Sequence, residues 1–135
     1  MKKENLIVSI FDIDTKPEKD YFSLVTFWYL KLKKKPNFAF QPIPVYNNNI
    51  WQAPFFSRIV ATSNTFWQMI QQSRPEQLVT YSSHSLPWQV FEKVSFPKEV
   101  VSDDSRIFWK CFFAFNGNFQ TIPLFYPVYM DAVLG

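Results

Sequence analysis

Apolar residues fall along this chain in short blocks, punctuated by prolines and asparagines, and the period changes from block to block. Apart from Ser9, residues 6–13 are apolar up to Asp12 and predict a first strand. Thr15 followed by Glu18 has the capping-box pattern, which argues for a helix beyond it. Against that, residues 21–33 alternate, most cleanly at Leu30-Lys31-Leu32-Lys33, and the spacing predicts a strand. Lys34-Lys35-Pro36-Asn37 reads as a turn and 38–46 as a third strand. Pro42 and Pro44 stand two apart in it, so both missing N–H groups face one side, the mark of an edge strand or an extended arm.

Helical spacing is clearest after Thr62 or Ser63, read as an N-cap. Phe66, Met69, Ile70 and Ser73 share one face, and Arg74-Pro75 closes a helix near 63–73. Residues 78–81 and 88–96 read as short strands around a Ser82-Ser83-His84-Ser85 loop. Residues 106–115 and 118–126 flank Asn116-Gly117, a dipeptide favoured by type I′ turns, and predict a C-terminal β-hairpin. A two-residue loop would set Cys111 opposite Ile122 and Trp109 opposite Leu124. Both faces of that hairpin are greasy. With no repeat, low-complexity tract or linker, residues 1–135 predict a single β-rich domain. Its class is α+β: a mainly antiparallel twisted sheet or small sandwich with one helix.

Composition sharpens this picture in three ways. Aromatic residues make up 20% of the chain, 16 of them Phe, while charged residues reach only 19%, below the usual quarter. A surface short of charge suits coverage by a partner. Only Gly117 and Gly135 are glycine, which excludes the phosphate-cradling loops of nucleotide-binding folds. One cysteine, Cys111, excludes an internal disulfide and reads as a small buried hydrophobe. The net charge of +3 permits contact with an anion without demanding it. No apolar run approaches the ~18 residues of a membrane span. Residues 6–13 are too short and too acid-flanked for a signal peptide. The expected location is intracellular, in the cytoplasm or within a virus or complex assembled there.

Catalytic constellations are sparse. Asp12-Ile13-Asp14 after an apolar strand resembles the nucleophile motif of haloacid-dehalogenase-type phosphatases. Thr15, however, comes one position early, and two glycines leave little room for their doubly wound sheet. His84 is the only histidine, so a small hydrolase would have to use it as base, with a neighbouring serine or Cys111 as nucleophile and Asp103 or Asp104 to orient it. Nothing in the spacing links these groups. No cluster has metal-ligand spacing, so neither metal nor cofactor is expected.

Two surface features remain. Lys31, Lys33, Lys34 and Lys35 cluster beside Tyr29, and basic charge next to exposed rings is the chemistry of single-stranded nucleic-acid binding. The aromatic surplus, which includes Trp51, Phe55, Phe56, Trp67, Trp88, Trp109 and Phe119, exceeds what one small core hides. Interfaces favour such rings and disfavour Lys and Glu at their centres. The expected function is therefore non-catalytic: a protein-binding or assembly subunit, self-associating or part of a larger complex, possessing a composition seen in viral and mobile-element proteins. Its expected interface comprises Phe38, Phe40, Pro42, Pro44, Phe108, Phe112, Phe125 and Tyr126. Nucleic-acid binding through the lysine cluster is the alternative, and a His84 hydrolase the third reading.

Overall fold

Five strands form one curled sheet, a half-barrel, with helices against both of its faces, so the chain is α+β. The computed structural model describes residues 2–94 and 103–134. The strands are β1 (Ile7–Ile10), β2 (Lys16–Pro17), β3 (Phe38–Val45), β4 (His84–Pro87) and β5 (Gln120–Tyr129), in the order β1-β4-β3-β5-β2. All neighbours run antiparallel except β3 and β5, which are parallel. The helices are α1 (Tyr21–Leu32), α2 (Phe55–Gln72), α3 (Trp88–Val94) and α4 (Asp103–Ala114).

Alternation along β3 builds the two halves of the core. Phe38 and Phe40 meet Tyr21, Val25 and Tyr29 of α1 on one face. Ala39 meets Val90 of α3 and Ile107, Phe108 and Cys111 of α4 on the other. The strand expected over 21–33 is thus the helix α1. Its buried residues recur every fourth position, but Phe22, Phe27, Trp28 and Leu30 on the outside are apolar too. With both faces apolar, composition could not distinguish a period of two from one of 3.6.

The expected C-terminal hairpin is replaced by α4 followed by β5. Asn116 (φ 54°) and Gly117 (φ 81°) do adopt the left-handed conformation that a type I′ turn needs, but they use it to end a helix. Gly117 N–H donates to the Phe112 carbonyl at 2.7 Å and Asn116 N–H to that of Phe113 at 3.1 Å. This pair of bonds is the Schellman motif, which makes the same φ demand as the hairpin turn. Residues 78–81 form no strand, the Ser-His segment expected as a loop supplies β4, and the strand expected over 88–96 is helical from Trp88 to Val94. Residues 95 and 96 lie outside the described residues.

β3 is central, correcting the edge-strand expectation drawn from its prolines. The sheet tolerates Pro42 and Pro44 because β4 pairs with β3 only at Phe40↔Ser85. Beyond that pair a side chain takes over from the ladder. The Gln41 amide donates to the carbonyls of Tyr81 (3.0 Å) and Ser83 (3.3 Å) and accepts from Tyr81 N–H (2.8 Å).

Towards β5 the register slips between Gln41↔Pro123 and Ile43↔Pro127, leaving a bulge centred on Phe125 (φ 52°). Gln72 of α2 fills the break. Its amide donates to the Gln41 carbonyl at 2.8 Å and accepts from Phe125 N–H at 3.0 Å, stitching both strands.

Candidate functional site

α2 starts eight residues before its expected N-cap at Ser63, directly after Pro54, whose carbonyl accepts from Arg58 N–H at 3.0 Å. Thr62 and Ser63 lie mid-helix and exposed. The apolar positions 55, 56, 59 and 60 already carried the helical period upstream of Thr62, and that was the signal missed. Its polarity is also inverted. Ala61, Gln68 and Gln72 point inward, while Phe55, Phe56, Ile59, Val60, Phe66, Trp67, Met69 and Ile70 are exposed. The expected core face of Phe66, Met69 and Ile70 therefore points outward.

Hydrogen bonds make this orientation stable. Besides the Gln72 stitch, Thr65 donates its hydroxyl to the Pro44 carbonyl at 2.9 Å. Asn64 donates to the Tyr46 hydroxyl at 2.7 Å and the Tyr81 hydroxyl at 3.3 Å. Each buried backbone group satisfied this way would otherwise cost roughly 1–3 kcal/mol. α2 carries a single charge, Arg58, whose guanidinium is tied to the carbonyls of Ala53 (2.8 Å) and Trp51 (3.1 Å). Trp51 continues the apolar surface beside it, its ring 5.8 Å from that guanidinium.

The interface residues expected from sequence are distributed differently. Phe38, Phe40, Pro42, Pro44 and Phe108 are buried within the chain, Phe112 and Tyr126 are half-buried, and Phe125 is exposed at the bulge. In the lysine cluster, Lys31 lies over the rings of Phe27 (4.5 Å) and Trp28 (5.5 Å). Lys31, Lys34 and Lys35 border a groove of about 500 Å3 with Asn37, Asn118 and Gln120. Lys33 is exposed but does not line it, and Tyr29 is buried with its hydroxyl donating to the Glu4 carbonyl. Tyr29 is thus not available for stacking.

His84 sits fully buried in β4. Its Nδ1 donates to the Ser82 carbonyl at 3.0 Å, which leaves Nε2 as the bare acceptor, and Nε2 has no partner among the described residues. Burial lowers its pKa, outweighing the Ser82 carbonyl and the Asp12 charge, which act the other way. The nearby hydroxyls are engaged elsewhere. Ser82 donates to the Asp12 carboxylate, Ser83 shares a hydrogen bond with Thr15 (2.8 Å), and Ser85 shares one with each of Tyr21 and Ser9 (2.7 Å). Tyr21 is pushed up to about 12 by burial.

No nucleophile–base pair therefore involves Nε2 among the described residues. Cys111 is buried, its thiol pushed up to about 12. The side chains of Asp103 and Asp104 lie outside the described residues. Asp12 and Asp14 serve as hydrogen-bond acceptors, Asp14 from Asp131 N–H at 3.0 Å. No metal-binding group of three His, Cys, Asp or Glu occurs among the described residues, nor any helix long and apolar enough to cross a membrane.

The chain matches no protein family, no curated protein and no solved structure.

Proposed function

We propose that this protein is a binding or assembly subunit whose docking surface is the outward face of α2, extended by Trp51. The observation that carries this reading is the inversion of α2. Gln72 bonds the sheet and Gln68 is buried, while Phe56 (78% exposed) and Trp67 (58% exposed) stand in solvent with six more large apolar side chains. An exposed apolar surface of this kind marks an interaction site, because leaving it wet forgoes roughly 25 cal/mol per Å2. The occupant is protein. Aromatics and Met crowd the surface, and Lys and Glu are absent from α2 altogether, the composition of an interface centre.

The test places a photo-crosslinking residue at Trp67 in the native host and combines it with light scattering of the purified chain. The expected result is a defined oligomer or one crosslinked protein species, lost in the double variant Phe66→Ser, Trp67→Ser. A monodisperse monomer that crosslinks to no protein at position 67 refutes it.

A second reading rests on the groove bordered by Lys31, Lys34 and Lys35. Three ammonium groups around one groove suit an anion, and a nucleic-acid backbone is the polymer that supplies such anions in series. Retention of single-stranded oligonucleotides that weakens steeply with salt, and further in Lys34→Glu, Lys35→Glu, supports it. Salt-independent retention or none rejects it.

A further inference from the structure

Beside the apolar face of α2, a pocket of about 510 Å3 opens between Tyr46, Tyr81 and Asn64 on the inside and Phe56, Asp131 and Val133 at the rim. That volume suits a small ligand or a large side chain. Its walls are held in place. Asn64 bridges the two tyrosine hydroxyls. Asn49 clamps the 130–133 segment by accepting from Ala132 N–H (2.6 Å) and donating to the Ala132 carbonyl (3.0 Å), and Met130 N–H donates to the Val45 carbonyl at 2.9 Å.

The electrostatics are one-sided. Asp131 lines the pocket, Asp14 sits behind it through the Asp131 N–H, and the Asp12 charge adds to burial and Tyr81 in raising the pKa of Tyr46. None of these three carboxylates is ion-paired among the described residues, and they do not converge as metal ligands. Arg58, the one cation of α2, is turned onto the carbonyls of Ala53 and Trp51.

Three aromatic rings and an unpaired carboxylate around an apolar cavity form the chemistry that recognises an organic cation. The rings attract it through their faces and the carboxylate through its charge. We infer that this pocket binds an alkylammonium or guanidinium group, carried on an apolar body that covers Phe56 and Val133. The pocket shares Phe56 with the proposed docking face, but cation binding to the purified chain is read separately from what covers α2.

The experiment is an NMR titration with tetramethylammonium and with N-acetyl-arginine methylamide, using 3,3-dimethylbutanol as the neutral isostere of an alkylammonium. The expected result is saturable shifts at the Asn64 side-chain amide and the Tyr46 and Tyr81 rings, with the alcohol at least about fivefold weaker than the better cation. Asp131→Asn should weaken the cations roughly three- to fivefold and leave the alcohol unchanged. Tighter binding of the arginine derivative assigns the site to a basic side chain of a peptide. Tighter binding of tetramethylammonium assigns it to a free small amine. If neither cation saturates the site, or the alcohol binds as well as both, the inference fails, and the crosslinking result at Trp67 stands or falls separately.

Discussion

α1 and α2 rest on the same sheet by opposite physics. α1 docks by burial, setting Tyr21, Val25 and Tyr29 against Phe38 and Phe40, contacts that are non-directional and tolerate small shifts. α2 docks by directed hydrogen bonds from Gln72, Thr65 and Asn64 and contributes only Ala61 to a small alanine cluster with Ala53 and Ala132. A hydrophobic period identifies the two faces of a helix but not which of them is inside. α2 shows that a sheet with a broken ladder can recruit the polar face.

Substitutions on the two helices should separate these modes. The largest effect is expected for Phe40→Ala beneath α1. Removing a fully buried ring costs roughly 3–5 kcal/mol, readable as a lower urea midpoint. Gln72→Leu comes next. It adds apolar surface yet strands the Gln41 carbonyl and Phe125 N–H, for a loss of about 2–4 kcal/mol. A gain in stability from that variant would show that α2 does not dock through its amides.

His84, fully buried in β4, comes next. Its folded pKa is lowered by burial, so the unfolded chain takes up the proton first. Stability is then complete above the unfolded value of about 6.5 and falls as the pH drops below it, by at most about 1.4 kcal/mol at pH 5.5. His84→Gln should remove that component of the pH profile measured by chemical denaturation. The smallest effect is expected on the outside of α2, where Trp67→Ser should alter monomer stability by about 0.5 kcal/mol or less while abolishing association.

How far the chain could be read without coordinates follows the same division. The sheet class, β1 and the extent of β3 were legible because Ile7, Val8 and Ile10 are β-branched and because Pro42 and Pro44 exclude a helix interior. α1 and α4 were not, since Phe22, Phe27 and Trp28 on one and Trp109 and Phe113 on the other put rings on the solvent side and erase the period. Asn116-Gly117 was read as a type I′ hairpin turn and instead ends α4, because both motifs require positive φ. The candidate surface was half visible: Trp51, Phe55, Phe56 and Trp67 stood out as surplus rings. That they belong to one outward face depends on the bulge at Phe125, which no local pattern announces.

The Gln72 stitch also bears on the order of assembly. Its two acceptor and donor groups come from strands that lie some eighty positions apart along the chain, and such distant pairings form late. A helix whose inner side is amide and hydroxyl gains little from early collapse, and the Gln72 part of its grip cannot form until β3 and β5 have met. During that interval its ring-studded side is unattached to anything, and nascent chains at high concentration would entangle there first.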